Sequence, residues 1–334
     1  MKLVQFAGAV IAFALFTGAQ AQQPVVVKFS HVVTDETPKG KGAIRFKELA
    51  EAKTKGRVKV EIYPNSQLYK DREELEALQL GAVHMLAPSV SKFGPLGVRK
   101  FEVFDLPYMF ADERSLERVV EGPVGKGLFK LLEPKGIVGL AYWFNGFKEF
   151  TANKPLRKLD DFKGLKIRIQ SSKILEGEIK AFGAIPQVMA FSEVYTALQQ
   201  GVVDGEENTP SNKYTQKMHE VQKHMTLSDH GVVMYAVIVN KKFWDGLPAD
   251  IRRSLIEAMA ESTQYVWDIA KKENDDALAK IKAAKTTDVY VLPPAEKAVW
   301  RKAMLPLYQE YEDVVGKDTL RAIEKTVAQS SAKK

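Results

Sequence analysis

The chain has 334 residues, with 49 Lys and Arg against 42 Asp and Glu, 45% hydrophobic residues and no cysteine. This composition excludes a disordered, collagen-like or disulfide-stapled protein and provides enough apolar material for two ordinary domains. Acids and bases are interleaved, as in residues 70–74 and 271–276, so the net charge of +7 predicts solvated helix faces rather than a nucleic-acid-binding surface.

The first 21 residues have the organisation of a secretory signal peptide. Lys2 supplies a positive start, residues 3–17 are nearly all apolar, and residues 19–21, Ala-Gln-Ala, form a small-x-small cleavage site. The apolar stretch is shorter than the roughly 20 residues that a transmembrane helix needs. We therefore expect residues 1–21 to be removed and the mature chain to be exported.

The mature chain begins with strand and helix patterns in alternation. Residues 25–30 and 58–63 are the β-branched or alternating runs typical of strands, and residues 84–87 form a third. Helical patterns follow the first two strands and end at Gly56 and at Leu80. This order predicts an α/β unit with a parallel sheet and right-handed crossovers.

A second α/β unit of similar size begins near Asn145. Its strands are predicted at residues 165–169, 187–189 and 202–205, with helices between them. Residues 232–240 are almost uninterrupted Val, Ile, Ala, Met and Tyr, which is typical of a central strand buried on both faces. We expect this strand to cross back into the first sheet.

Long helical patterns occur in both halves of the chain. Residues 249–284 contain no proline or glycine, which predicts one helix of about 54 Å that braces both domains. Residues 115–132 and 295–327 also have helical patterns. The predicted domains are residues 22–145 plus about 232–270 for the first, and residues 146–231 plus about 271–334 for the second.

The sequence contains no recognisable motif of an enzyme or of a metal site. His-Glu-x-x-His and Gly-x-Ser-x-Gly are absent, and residues 122–127 are not a phosphate-binding loop, because Leu128 stands where that loop requires Ser or Thr. His219 and His224 are five residues apart, which is a poor spacing for chelation on one helix. We therefore expect no catalysis, no metal and no cofactor.

Two polar residues are candidates for binding an anion. Arg168 lies among apolar neighbours in a predicted strand, and its guanidinium offers two parallel N–H donors that match a carboxylate. The same pattern is typical of a surface arginine on an edge strand. Asn208 follows a tight turn, where its amide donates to a ligand oxygen or caps the turn.

Taken in order, several segments resemble the periplasmic solute receptors of TRAP (tripartite ATP-independent periplasmic) transporters, of the dicarboxylate-binding DctP type. The resemblance runs through essentially all of the mature chain. It implies an α/β, two-domain periplasmic binding protein (clamp) fold that closes on a ligand in the cleft, with a long helix spanning both domains. The segments that carry the resemblance are Phe104–Tyr108, Gly164–Arg168, Met189–Tyr195, Ala197–Gln199 and Gly201–Asn208.

The resemblance also implies roles for single residues. Arg168 matches the family's carboxylate-anchoring arginine, Asn208 the asparagine that hydrogen-bonds the same carboxylate, and Phe191 the aromatic residue that packs beneath the ligand. Lys148 stands where many relatives carry a second arginine, so it keeps the positive charge but loses the bidentate fork. Glu206 stands where an uncharged residue is common, and its carboxylate is expected to point away from the ligand.

A second cation distinguishes a dicarboxylate site from a monocarboxylate site, because a buried unpaired carboxylate is costly. The first domain offers His31 with Lys39 after the first strand, and Ser89 with Lys92 after the third, beyond the carboxyl ends of the strands. These residues predict a dianion such as succinate, malate or fumarate. Malonate, a 2-oxo acid or a sugar acid remains open, because one arginine anchors all of them.

The predicted function is therefore that of a periplasmic receptor, not an enzyme. It is expected to bind a small carboxylate and to deliver it to the membrane permease subunits of a TRAP transporter. We expect a monomer without nucleic-acid partners. The alternative is a ligand sensor for a membrane kinase that uses the same clamp.

Overall fold

The computed structural model describes residues 23–331, and the predicted signal peptide lies outside them. These residues form two β-sheets flanked by helices. No helix among them combines the length and the apolar character needed to cross a lipid bilayer. The strands are β1 (Val25–Ser30), β2 (Val58–Tyr63), β3 (Met85–Leu86), β4 (Ile137–Phe147), β5 (Glu149–Ala152), β6 (Lys166–Ile169), β7 (Ile185–Val188), β8 (Gly205–Asn208), β9 (His224–Leu227), β10 (Val232–Asn240) and β11 (Asp288–Val291).

Helices cover the sheets and follow local capping chemistry. The α-helices are α1 (Pro38–Lys53), α2 (Glu73–Leu80), α3 (Glu113–Glu121), α4 (Pro123–Lys130), α5 (Lys173–Ala181), α6 (Val194–Gln199), α7 (Pro210–Thr215), α8 (Met218–Val221), α9 (Lys241–Asp245), α10 (Ala249–Ala284), α11 (Pro294–Glu310), α12 (Glu312–Val315) and α13 (Lys317–Ser331). Thr37 caps α1 by accepting a hydrogen bond from the Gly40 amide at 3.1 Å. Gly81 ends α2 in the left-handed region, at φ 78°.

The first sheet has the strand order β2-β1-β3-β10-β4. Strand β1 is parallel to β2 and β3, as predicted, whereas β10 is antiparallel to β3 and β4. The predicted parallel arrangement therefore holds for β1 to β3, and the two strands that the prediction did not orient, β4 and β10, are antiparallel to each other. The reason is that β4 leads out of this sheet and β10 returns to it. All nine residues of β10 are buried, which confirms the predicted central strand.

The second sheet has the strand order β11-β9-β5-β8-β6-β7. Strand β6 is parallel to β7 and β8, while β5, which arrives from the first sheet, is antiparallel to β8 and β9. The carboxyl ends of β6 and β8 therefore lie at the same edge of the sheet. Residues at that edge form one wall of the site described below.

Two neighbouring crossings connect the sheets. The chain passes from β4 to β5 through Lys148, and from β9 to β10 through residues 228–231. The Lys148 amide donates to the Gly231 carbonyl at 2.9 Å, so the crossings are hydrogen-bonded to each other. Glu149 also accepts from the Ser228 amide at 2.5 Å. This double crossing is the hinge between the two sheets.

Helix α10 has the bounds that the sequence predicts and contacts both halves of the molecule. Trp267 Nε1 donates to the Tyr142 carbonyl in the first sheet at 3.0 Å. Further along, Asn274 Nδ2 donates to the Asn145 carbonyl at 2.6 Å, and its Oδ1 accepts from the Ser211 amide, at the start of α7, at 3.0 Å. The helix therefore braces the hinge.

Two predicted helical regions are divided. Gly122-Pro123 separates α3 from α4, since proline starts a new helix at its first position. Residues 294–331 form three helices, α11 to α13, instead of one. Leu320 and Ile323 of α13 are buried in one cluster with Leu116 of α3. Residues 317–331 thus pack against the first sheet, although the prediction placed residues 271–334 with the second.

Candidate ligand-binding site

A small cavity lies between the two sheets and receives side chains from both. Its volume is about 20 Å³. Residues of the first sheet and its connections face residues at the carboxyl ends of β6 and β8 across it. The polar side chains that line the cavity are Asp71, Lys92, Arg168, Gln170, Asn208, Asn212 and Tyr235.

Arg168 is held in a fixed orientation and keeps one donor group free. Its Nε and Nη2 atoms donate to the Met189 carbonyl at 3.1 and 2.8 Å. Its Nη1 atom is buried and has no hydrogen-bond partner within residues 23–331. The residue is 2% exposed, and its guanidinium lies 5.7 Å from the centroid of the Phe191 ring. One edge of the guanidinium is thus fixed on the backbone, and the other remains for an anion.

Asn208 ends β8 beside the cavity. Its Oδ1 atom accepts from the Thr209 amide at 3.0 Å and from Asn212 Nδ2 at 2.8 Å. With its oxygen occupied, the Asn208 side chain has its NH₂ group left to donate. Asn212 Nδ2 also donates to the Tyr235 hydroxyl at 3.2 Å, which joins this pair of amides to the first sheet.

Phe191 lies at the contact between the two halves. It begins a short 3-10 turn, Phe191–Glu193, and packs in one apolar cluster with Val32 and Val33 of the first half. Its amide donates to Asp71 Oδ2 at 2.5 Å, which is a direct hydrogen bond across the cavity. The ring therefore forms a wall of the cavity next to Arg168.

A buried charge cluster occupies the side of the cavity that belongs to the first sheet. Lys92 forms ion pairs with Asp71 and with Glu74, the latter at 3.1 Å. Burial by itself would raise the pKa of Asp71, but Lys92 and the nearby Arg168 lower it to about 2. Burial would lower the pKa of Lys92, and the two carboxylates raise it instead. Lys92 is therefore fully charged and already balanced.

Three further residues that the sequence analysis proposed do not line the cavity: Lys39, His31 and Ser89. Lys39 Nζ donates to the Ala87 carbonyl at 3.0 Å and lies 3.8 Å from the centroid of the Tyr235 ring. Burial and the charge of Lys39 lower the pKa of His31 to about 3, so its imidazole is neutral. Ser89 Oγ donates to Ser91 Oγ at 3.2 Å.

The structure places Lys148 away from the cavity. Its side chain is buried at the hinge, where its Nζ atom lies 2.9 Å from Glu207 Oε2. Burial alone would lower the pKa of Lys148, and Glu207 and Asp105 raise it. Lys148 therefore does not line the cavity, in contrast to the prediction that it contacts the ligand. The reason is that successive residues of β8 face opposite sides of the sheet, so Glu207, which holds Lys148, points away from the face of Asn208.

Glu206 is neutralised within the second half of the molecule. It forms an ion pair with Lys213 of α7 and accepts a hydrogen bond from Thr151 Oγ1 at 2.8 Å. It is fully buried and does not line the cavity. Its extra carboxylate is therefore accommodated, as the sequence analysis required.

Sequence reasoning missed four polar residues that line the cavity: Asp71, Gln170, Asn212 and Tyr235. One of them has a recognisable signal, because Asn212 follows Asn208 by four residues and its amide donates to the Asn208 side chain. Asp71 lies in the mixed-charge run at residues 70–74, which was interpreted as a solvated helix face. That interpretation is wrong for Asp71 and Glu74, whose side chains are 10% and 1% exposed.

Comparisons with known proteins show the family to which the chain belongs. A family model described as "DctP: Bacterial extracellular solute-binding protein, family 7" matches residues 29–313. The C4-dicarboxylate-binding periplasmic protein DctP of Rhodobacter capsulatus is 62% identical over 307 residues, which are 92% of each chain. A solved TRAP periplasmic solute-binding protein from Shewanella oneidensis, with bound succinate, has a TM-score of 0.89 and 44% identity, covering 91% of this chain and 99% of its own. Another, from Pseudomonas aeruginosa with bound L-malate, has a TM-score of 0.84 and 43% identity, covering 86% and 100%.

Proposed function

Since the chain belongs to the bacterial extracellular solute-binding protein family 7, the DctP family, we propose that it is a receptor for a C4-dicarboxylate: succinate, malate or fumarate. The predicted family and the predicted two-domain α/β fold are confirmed by the family match and by the structural neighbours. The observation that carries the proposal is the buried Arg168 guanidinium, whose Nη1 atom has no partner in the described part of the chain. A ligand carboxylate supplies both the missing acceptor and the missing negative charge.

The first carboxylate is assigned to the wall formed by the second sheet. Arg168 Nη1 and the NH₂ group of Asn208 both lie at the carboxyl ends of adjacent strands, where donors converge on one oxygen pair. Phe191 closes this end of the cavity with its ring. Because these three residues match the family motif and line one cavity, we assign them to ligand binding.

The second carboxylate is assigned to the opposite wall. Lys92 lines the cavity on this side, and Lys39 Nζ lies 3.8 Å from the centroid of the Tyr235 ring, which also lines it. A ligand four carbons long spans two walls that each carry cationic side chains, so both of its ends are neutralised. A monocarboxylate leaves one of these walls unused. The charge distribution therefore favours a dianion, in agreement with the succinate and malate bound by the structural neighbours.

Ligand entry requires the two walls to separate. The cavity of about 20 Å³ is far smaller than a typical small-molecule pocket of roughly 300–1,000 Å³. The double crossing at Lys148 and residues 228–231 is a short connection about which the halves can rotate. A ligand that contacts both walls favours the closed arrangement by its differential affinity for it.

The chain's relatives are binding proteins, and we propose that this chain likewise performs no catalysis. We further propose export to the periplasm through cleavage after Ala21, action as a monomer, and delivery of the ligand to the permease subunits of a TRAP transporter. The permease requires a receptor that releases its ligand unchanged, which suits a clamp whose site holds the ligand only by charge and hydrogen bonds.

Mass spectrometry of the ligand that co-purifies with the protein tests the substrate class without prior choice of a compound. Isothermal titration calorimetry then compares succinate, malate and fumarate with butyrate, a monocarboxylate of equal length, and with galactonate. We expect one of the three C4-dicarboxylates to bind most tightly and butyrate to bind at least 100-fold more weakly, since one cationic wall stays unpaired. Tighter binding of butyrate or galactonate than of every C4-dicarboxylate would refute the proposed substrate class.

A further inference from the structure

Lys39 is a buried ammonium group without a counter-ion. The residue is 1% exposed. Its Nζ atom donates to the Ala87 carbonyl at 3.0 Å and lies 3.8 Å from the centroid of the Tyr235 ring, and both groups are uncharged. It forms no ion pair with any carboxylate within residues 23–331, in contrast to Lys92 close by. Lys39 is also the second residue of α1, where the helix dipole opposes a positive charge.

None of the titratable groups that surround Lys39 in the described part of the chain forms an ion pair with it. His31, after β1, is buried and neutral. Lys92, in the turn after β3, repels Lys39, while Asp71 and Glu74 at the start of α2 attract it but are already paired with Lys92. The Tyr235 hydroxyl on β10 is neutral, since burial raises its pKa to about 12.

The charges around the cavity therefore come close to balance without Lys39. Asp71 and Glu74 together offset the charges of Lys92 and Arg168, and Lys39 adds one further positive charge when it is protonated. Burial and the repulsion from Lys92 lower the pKa of Lys39 to about 7, so Lys39 titrates in the neutral pH range.

We propose that the second carboxylate of a bound dianion is the missing counter-ion of Lys39, so that the site takes up a proton when it binds a dicarboxylate. This inference rests on the proposed function. A carboxylate placed at the Tyr235 wall stabilises the ammonium form of Lys39 through the low-dielectric interior, and the proton is drawn from solvent. A dianion therefore completes the protonation of Lys39, whereas a monoanion held by Arg168 alone does not, and this difference favours dianions over monoanions.

Calorimetry in buffers that differ in ionisation enthalpy, such as phosphate and Tris, measures the number of protons bound with succinate. We expect proton uptake with succinate that increases from pH 7 to pH 8, because the pKa of Lys39 is about 7 in the free protein. The affinity for succinate is expected to fall by nearly tenfold between pH 8 and pH 9, since the protonated fraction of Lys39 falls by that factor.

Two variants locate the proton. Lys39→Arg carries a permanent charge, so it is expected to bind succinate without proton uptake and with an affinity that does not change between pH 7 and pH 9. Lys41→Met is the matched control on the same helix, because Lys41 is 34% exposed and forms an ion pair with Glu273 at 2.7 Å. This control is expected to retain the uptake of the natural protein.

Binding heat for succinate with no proton uptake at pH 8 would overturn the inference and leave the proposed function intact. Undiminished uptake in Lys39→Arg would overturn it as well, because the proton would then reside on another group. The natural protein alone decides the question if that variant does not fold. Failure of the proposed function looks different, since succinate, malate and fumarate would then produce no binding heat at all.

Discussion

Replacement of Arg168 by methionine is expected to remove tight ligand binding and to leave the fold nearly as stable as before. The residue is 2% exposed and has no ion-pair partner in the described part of the chain. Burying an unpaired cation lowers the stability of the folded protein, so the substitution removes this unfavourable free energy from the ligand-free protein. In the bound protein, the same substitution leaves a ligand carboxylate buried without its counter-ion.

The structure sets the size of both effects. The Met189 carbonyl loses its bonds to Nε, at 3.1 Å, and Nη2, at 2.8 Å, which costs about 1–2 kcal/mol. The relieved charge penalty offsets this loss, so we expect the free energy of unfolding to stay within about 1 kcal/mol of its natural value. Truncating one partner of a buried, hydrogen-bonded charge pair costs about 2–5 kcal/mol of binding free energy. The dissociation constant for the dicarboxylate should therefore rise about 30- to 4,000-fold.

Urea unfolding and calorimetric titration with succinate, both at pH 7, separate the two effects. Arg157→Met is the matched control, because Arg157 is 56% exposed and lies 3.9 Å from its partner Asp288. It should change neither quantity by more than about 0.5 kcal/mol. If Arg168→Met binds succinate within threefold of the natural protein, Arg168 does not hold the ligand. If it loses more than about 3 kcal/mol of stability, the guanidinium is a structural group.

Three further outcomes follow from the packing and the charges. Lys92→Met should destabilise the protein by about 3–5 kcal/mol in urea unfolding at pH 7, because two buried carboxylates lose their shared cation; a loss under about 1 kcal/mol would contradict this. The pKa of Asp71 is about 2 in the folded protein, below its ordinary value of 3.8, so its stabilising contribution is complete above about pH 4 and is lost as the pH falls toward 2. Asp71→Asn should flatten the stability curve in that range, and an unchanged acid slope would show that Asp71 is not paired. Gly42→Ala should cost about 1–3 kcal/mol, since the added methyl group would meet Val266 Cγ2 at 2.3 Å, whereas Gly127→Ala, with open space around it, should stabilise the fold by about 0.5–1 kcal/mol in thermal unfolding.

Helices and strands whose first and last residues are set by residues adjacent in the sequence can be predicted from the sequence. Helix α10 runs from Ala249 to Ala284 as expected, because Pro248 precedes it and no proline or glycine interrupts it. Strand β10 is equally clear, since a continuous run of apolar residues suits burial on both faces. The direction of β10 is not predictable in this way, because it depends on the chain having left the first sheet through β4.

At the site, too, the features that the sequence does not predict depend on how the fold brings distant residues together. Arg168, Asn208 and Phe191 belong to motifs, and the structure brings all three to one cavity. The alternating charges at residues 70–74 have the same pattern whether the acids face water or a buried cation. Only the position of Lys92, which the fold supplies, distinguishes the two cases.

The position of Lys148 at the hinge explains why a lysine in place of an arginine changes more than geometry. A lysine ammonium is a compact charge on a flexible stem, and here it is committed to Glu207 at 2.9 Å in a fully buried pair. An arginine has five N–H donors in a rigid fork, which suffice for a buried carboxylate and a ligand together. In the proposed site, the anionic ligand is therefore held by Arg168 and by cations of the first sheet rather than by Lys148. The unpaired Nη1 of Arg168 lines the cavity, and the ammonium of Lys39, which forms no ion pair among the described residues, lies 3.8 Å from the centroid of the Tyr235 ring, which also lines it. A dianion in the cavity therefore has a cation near each of its ends.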